Sequence, residues 1–506
     1  MGTISTAVGS ERISRVSGYN IKKGFFSTET PNLPQIIAVF GEANTANQMG
    51  LTTTKREVTS SDEAGRLYGY GSPIHRQMCI LRPKGADGVG GIPTVVFPQI
   101  TSGGATATFI EITVTGTATK NTTHRLVVNG RYDLDFKPYS YDVVVGDTPT
   151  VIAGKMSNAI NSVLGAPATS EYSAGVVGFE TKWKGTTSAQ LKISVDTGTE
   201  TAGLSYSQTD ESYGSGSVDI SDALAQFGDD WYTIVLNPYG TAQLDVLEQF
   251  NGVPNDTNPT GRYSGLVFKP FCAYFGETES NKYDLSDITD DADRVEQVTN
   301  VLCVAPNSDG FKFEASANVA ALVAVTFQNT PHLDVNNLSY PDMPVPTDGV
   351  IGDMSDYNNR DYLVKKGCST VILENGAYKI QDLVTTYHPE GETPLLYSYP
   401  RTLNIHFNVK DTYITLEKLY LRDKTLISDT QLVDVDGCVK PMDWKSVVYE
   451  MFDNLAQKAL LKDAAFSKSS LQVQISNTNP NRFETAFDYK TTGIARIEST
   501  TVKAGF

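Results

Sequence analysis

Cysteine is sparse and scattered: the five residues Cys79, Cys272, Cys303, Cys368 and Cys438 never form a C-x-x-C pair. That spacing excludes a zinc ribbon and a dense disulfide framework, and leaves free thiols that pack as small apolar side chains. Histidine is equally thin. His75, His124, His332, His388 and His406 stand apart, with no H-E-x-x-H, so a hydrolytic metal site has no signal here. No apolar run approaches the roughly 20 residues of a membrane-spanning helix. The first ten residues lack the basic-then-apolar pattern of a secretory signal, so the expectation is a protein made and kept in a cytosol, without membrane insertion. Positive charge is also short: 41 Lys and Arg face 58 Asp and Glu, a formal net charge of -17. A surface of that sign repels phosphate backbones, and direct nucleic-acid binding is not expected.

Motifs for chemistry are missing as well. Gly69-Tyr70-Gly71-Ser72-Pro73 lacks the third glycine of a dinucleotide loop, and no G-K-[ST] occurs. Ser72 lies outside a G-x-S-x-G elbow, which leaves a triad assembled in space as the route to a hydrolase. Asp284, Asp287, Asp290, Asp291 and Asp293 lack the spacing and central glycine of a calcium loop and read as a solvated loop leading into a helix. Arg131-Tyr132 and Trp183-Lys184 are two isolated basic-aromatic pairs on an acidic chain. No catalytic, cofactor-binding or metal-binding residue is assigned.

What is present suffices for large cores. The 506 residues are 40% apolar and 20% charged, and the length suggests about three domains. Residues 1–20 alternate without a helical period and read as an extended arm. The run Ile36 to Phe40 predicts a buried strand, and Ser60 or Ser61 with Glu63 opens a short helix. A second helix is expected over 74–81. Residues 95–217 then become dense in Thr, Ser, Gly and Val with period-two alternation. One helix is expected there, capped by Asp147 or Thr148, with Val151, Ile152, Met156, Ala159, Ile160 and Val163 as its apolar stripe. The Gly-Ser run 212–217 reads as a hinge closing this segment.

Strand and helix alternation resumes afterwards: helix 223–227, strand 231–236, helix 241–250, strand 266–268, helix 291–299, strand 301–305 and helix 315–326. The Pro-rich stretch 331–346 reads as a boundary. Beyond it come a helix over 355–366 stopped by Gly367, a hairpin turning at Asn375-Gly376, and two long helices, the second over 444–466. Gly493 onward again reads as an extended arm. The expected fold is α/β and multidomain. Residues 21–95 and 218–350 form a discontinuous α/β domain carrying a β-rich insertion at 96–217, residues 351–492 form an α+β C-terminal domain, and arms occupy 1–20 and 493–506.

Several segments resemble one known family, the contractile-tail sheath proteins of myophages and related injection machines. Arg15-Val16-Ser17-Gly18-Tyr19 resembles that family's arginine-valine-proline-glycine-tyrosine entry, with Ser17 in place of proline. Residues 58–72, V-T-S-S-D-E-A-G-R-L-Y-G-Y-G-S, are similar to its segment ending in phenylalanine-glycine-x-glycine-serine, with Tyr68 for phenylalanine. Residues 146–161, 174–181 and Gly185 resemble its inserted domain. Lys366-Gly367-Cys368-Ser369-Thr370, Val384-Thr385-Thr386-Tyr387 and Asn479-Pro480-Asn481-Arg482-Phe483 are similar to its C-terminal region.

The resemblance implies a structural subunit without cofactor or enzymatic activity. Such a subunit polymerises with itself as hexameric rings stacked helically around an inner tail tube, in a metastable extended state whose contraction drives the tube through the host envelope. The implied partners are the tube, baseplate and tail-terminator proteins, and the implied location is the virion tail, assembled in the host bacterial cytoplasm. Arms carrying Arg15, Val16 and Tyr19 at one end and Ile494, Arg496 and Ile497 at the other would add strands to neighbouring subunits. The C-terminal domain would lie innermost, with Lys445, Lys458 and Lys462 of helix 444–466 as candidate tube-facing residues. Two other readings compete: a surface adhesin or layer-forming protein, and a hydrolase on the α/β domain.

Overall fold

The computed structural model describes residues 32–254, 257–291, 294–391 and 396–504. Arg15, Val16 and Tyr19 of the expected N-terminal arm, and Asp293, lie outside the described residues. The expected first strand is β1 (Ile37–Glu42), buried throughout. Helix α1 (Ser61–Tyr68) starts as its sequence dictates. Ser60 Oγ accepts from the Glu63 amide at 3.2 Å, and the Glu63 carboxylate accepts from the Thr59 amide at 3.0 Å. Gly69 ends it at φ +94°, where a Cβ would strike Asn44. Helix α2 (Pro73–Leu81) and strand β2 (Thr94–Gln99) follow. Because β2 runs parallel to β1 along its whole length, residues 96–99 belong to the first sheet, and the β-rich segment begins later than expected.

That segment contains β3 (Phe109–Thr115), β4 (Thr122–Val128), β5 (Ser140–Val143), helix α3 (Pro149–Asn161), β6 (Ala168–Ser173), β7 (Val176–Thr181), β8 (Ile193–Asp196) and β9 (Ser205–Ser212). Two antiparallel sheets result, β9-β3-β7-β6 and β8-β4-β5. Between them and α3 lies a core of Ile112, Leu126, Met156, Ile160, Phe179 and Trp183. Val151, expected on the α3 stripe, is instead exposed, because it sits about 140° round the helix from the buried Met156. The run 212–217 is no free hinge. Thr106 N donates to Ser215 O at 2.9 Å and Gly214 N to Thr108 Oγ1 at 2.8 Å, which ties the segment's entry to its exit. Strand β9 forms an outer edge, exposed except at Tyr206, with its register broken between Gln208 and Asp210.

The alternation then returns with β10 (Ile234–Asn237), α4 (Leu244–Asn251), β11 (Cys272–Glu277), α5 (Lys282–Thr289), β12 (Asn300–Val304) and α6 (Lys312–Asn329). The three strands complete a parallel sheet ordered β12-β11-β10-β1-β2, with the two-residue antiparallel strand Arg56–Glu57 at its far edge. Ile37 and Val39 pack into a core with residues of α2 and α6, while Ala38 and Phe40 pack into another with Phe227 and Leu247. Burial on both faces explains why these strands read as continuous apolar runs rather than as alternation.

Two expected elements are displaced. Residues 264–268 form a tight turn, with Phe268 N donating to Ser264 O at 2.8 Å and Leu266 fully exposed, so the strand is β11 instead. Residues 294–296 form a turn rather than a helix. The carbonyls of Val295 and Gln297 accept from His388 N and Thr386 Oγ1, so a passing segment takes the acceptors a helix would have used. The acidic residues therefore lie on and just after α5, not in a loop before a helix.

The last third holds α7 (Tyr357–Lys365), the hairpin β13 (Thr370–Glu374) and β14 (Ala377–Asp382), α8 (Pro400–Tyr420), α9 (Pro441–Gln457), α10 (Ala464–Ser470), and the hairpin β15 (Gln472–Ile475) and β16 (Phe483–Ala486). Asn375 and Gly376, at φ +53° and +74°, make the tight turn their sequence announces. Leu363, Val371, Ile380 and Phe407 pack with the parallel sheet's core, while Val409, Trp444, Val448, Phe452 and Leu455 build a separate one. The expected helix 444–466 is broken. Ala459 takes φ +55°, and the backbone of 459–462 pairs with 490–492 before Asp463 caps α10.

Candidate assembly surfaces

Residues 493–504 carry no regular secondary structure. Ile494 is half-buried and Ile497 is 89% exposed. Arg496 is clamped. Its Nη1 donates to Asp382 Oδ1 at 2.9 Å, its Nη2 pairs with Asp334, and its guanidinium lies 4.0 Å from the Tyr399 ring centre. Burial pushes the Asp382 carboxyl up, against the pull of Arg496. Of the three C-terminal arm residues, one is thus held by the body, one is partly covered and one is free. Nearby, β15 and β16 pair only with each other among the described residues, so the hairpin has no further strand partner.

The three candidate lysines do not share one helix. Lys445 lies on α9 with Nζ 5.6 Å from the Tyr449 ring centre. Lys458 is the C-cap residue of α9, with Nζ 3.4 Å from Asn32 Oδ1. Lys462 is exposed in the turn before α10, its amide donating to Lys490 O at 2.9 Å. The structure brings Lys458 and Lys462 to one corner, beside residues 490–492, and leaves Lys445 roughly 20 Å back along the helix.

A buried ionic junction, which no spacing rule signals, joins the β-rich segment to the parallel sheet. Arg76 of α2 donates through Nε and Nη2 to Glu314 Oε1 at 2.9 and 2.8 Å, and Arg131 Nη1 donates to Glu314 Oε2 at 2.8 Å. Asp342 of the Pro-rich loop accepts from Arg131 Nη2 at 3.2 Å. Phe311 and Phe313 extend the contact by packing into the β-rich core, Phe311 lying 5.6 Å from Trp183.

In open α/β sheets, ligands bind beyond the carboxyl ends of the strands, where the strand order reverses. Here that point lies between β1 and β10, and residues 182–190 pass beside it. Lys182 O accepts from Thr45 N at 2.8 Å, and Thr187 Oγ1 donates to Glu42 Oε1 at 2.9 Å while accepting from Trp183 Nε1. Glu42 Oε2 and the Tyr239 hydroxyl are buried without a hydrogen-bond partner among the described residues. Burial pushes the Glu42 carboxyl up to about 7.

The histidines sit apart. His388 holds Asp290 and a backbone carbonyl, and His124 holds Tyr206 and Glu200 O. His75 lies 3.5 Å from Cys79 Sγ, one helical turn away, but burial lowers the imidazole to about 3 and pushes the thiol up to about 11. That pair is neutral and holds no thiolate at ordinary pH. Among the described residues no three His, Cys, Asp or Glu side chains could hold a metal, and no helix is long and apolar enough to cross a membrane.

The fold is mixed α/β, with several sheets and, among the described residues, open strand edges and an exposed C-terminal stretch. Over 437 residues, 84% of each chain, it is 22% identical to the Mu-like prophage FluMu tail sheath protein of Haemophilus influenzae. No family model matches. Among solved structures, the sheath tail protein of Desulfitobacterium hafniense aligns with 94% of this chain and 100% of its own at 12% identity and a TM-score of 0.45. The contracted PVC sheath of an extracellular contractile injection system aligns over 98% of both chains at 8% identity and a TM-score of 0.47.

Proposed function

We propose that this chain is the structural subunit of a contractile tail sheath, working by polymerising and changing lattice rather than by catalysis. The observation that carries this reading is the sequence relationship to a tail sheath protein over 84% of both chains. The neutral Cys79–His75 pair supports it against a thiol hydrolase. In this reading, hexameric rings stack around an inner tube, baseplate and terminator proteins bound the stack, and assembly takes place in the host bacterial cytoplasm. The tail from Ile494 adds a strand beside the β15–β16 hairpin of a neighbour, and the β-rich segment faces outward. Lys458 and Lys462 form the charged corner that meets the tube. Contraction needs no fuel if the extended packing lies above the contracted one behind a barrier, because packed interfaces switch between discrete arrangements. Electron microscopy of the chain co-expressed with its tube protein is the test. Tubes or ring stacks are expected, and a monomer at every salt and crowding condition, with no sheath-like particle in the source, refutes the proposal.

A further inference from the structure

A cavity of about 790 Å³ opens beside the first half of α8, walled by Leu403, Phe407, Phe268, Tyr397 and Phe487. The cavity is open at Leu396, which is 43% exposed. Lys490 lines it, and Lys410 Nζ lies 5.8 Å from the Phe268 ring centre; Asp488 is the one carboxylate in the wall. His406 faces this space with Nδ1 2.7 Å from the Tyr489 hydroxyl, while its Nε2 is buried without a hydrogen-bond partner among the described residues. When the tyrosine donates to Nδ1, the ring hydrogen sits on Nε2, and the groove holds a buried donor lacking an acceptor.

The other end of the same helix leads into a segment of complementary character. Residues 431–437 are all exposed, with Leu432 at 89% and Val435 at 68%. Between residues 425 and 439 there are three aspartates and no lysine or arginine. Neither Asp434 nor Asp436 forms an ion pair among the described residues. An extended stretch of this kind can set valines against aromatic walls while an adjacent carboxylate reaches a buried N–H. It cannot enter its own groove: the strand pairs Thr425–Cys438 and Leu426–Val439 pin both its ends, and the helix between groove and loop spans roughly 20 Å.

We propose that this aromatic groove receives the 429–437 loop of a second copy of the chain. A patch at one end of a helix meeting a different patch at the other end makes a head-to-tail contact, which propagates as an open polymer rather than closing on itself. The inference rests on the reading of the chain as a polymerising subunit and names one of its contacts.

The test places p-benzoylphenylalanine at Leu396 in the full chain, assembled from a mixture of nitrogen-15-labelled and unlabelled copies. After irradiation and trypsin, crosslinks are expected to residues 425–445, the peptide bounded by Lys424 and Lys445 because Lys440 precedes proline, and to carry mixed labels. Val435→Lys, with an unchanged circular dichroism spectrum, is expected to cut the yield at least tenfold. Polymers seen by electron microscopy whose crosslinks run to residues 1–31, or to another protein, overturn the groove proposal and leave the subunit reading intact. Absence of any polymer overturns both.

Discussion

Glu42→Gln isolates the buried carboxyl at the end of β1. In the folded chain this group protonates near 7 against an ordinary value of 4.5, so the folded state holds the proton more tightly than the unfolded one. Its stabilising contribution is complete below pH 4.5, declines as the unfolded state ionises first, and is lost once the pH passes about 7. At about 1.36 kcal/mol per pH unit the loss amounts to roughly 3 kcal/mol. Glutamine keeps an oxygen to accept from Thr187 and never ionises. The variant and the parent should therefore unfold alike in guanidinium at pH 4.5, whereas at pH 8.5 the variant should be more stable by about 3 kcal/mol. Tryptophan fluorescence, to which the fully buried Trp183 beside the same Thr187 contributes, reports the transition. A gap between the two proteins that does not change with pH, or a variant weaker at pH 8.5, refutes the reasoning.

Deleting residues 102–215 should leave a folding, polymerising chain with a lower melting temperature, because Phe311, Phe313 and Glu314 lose their cover. Deleting 96–217 should prevent folding, because it removes the last four of the six residues of β2, and a folded 102–215 deletion that fails to polymerise would place the segment in the lattice. Removing residues 494–506 should abolish polymers and destabilise the monomer by about 1–3 kcal/mol, since Asp334 and Asp382 lose Arg496; a cut after Ile497 should spare the melting temperature, and normal tubes from the 494–506 truncation would refute strand exchange. Lys458→Glu with Lys462→Glu should leave polymers intact but weaken co-assembly with tube, most at low salt and less as salt screens the reversed charges, as exposed pairs worth about 0–1 kcal/mol each would; unchanged co-assembly at low and high salt places the grip elsewhere.

Local chemistry was legible in the sequence. Ser60 with Glu63, Asn375-Gly376 and Gly367 mark their turns and caps because the determinants sit within four residues of one another. The buried strands were legible as apolar runs. What escaped was decided at a distance. Residues 294–299 have the composition of a helix, but residues 386–388 take their carbonyls. Residues 266–268 are apolar, but they fold into a turn at Ser264 while Cys272–Glu277 finds two strand partners. The pattern over 444–466 is helical in period, yet residues 490–492 bind the backbone where it breaks. The same limit hid the functional geometry: the Arg76–Glu314–Arg131 junction spans residues far apart in the chain, and no window shows that Glu42 faces Thr187. The basis for likening the chain to sheath proteins, by contrast, lay in short motifs that could be read directly.

The exposed edge at β9 has a consequence for how many copies can share a small volume. A flat strand of eight residues is where identical molecules ordinarily zip together. Here Asp210 and Glu211 stand side by side next to a break in register. Two such edges brought together would oppose like charges across a ladder that cannot stay in phase. Pairing of two copies of the chain along this edge is therefore disfavoured, and crowded preparations are expected to resist association through it.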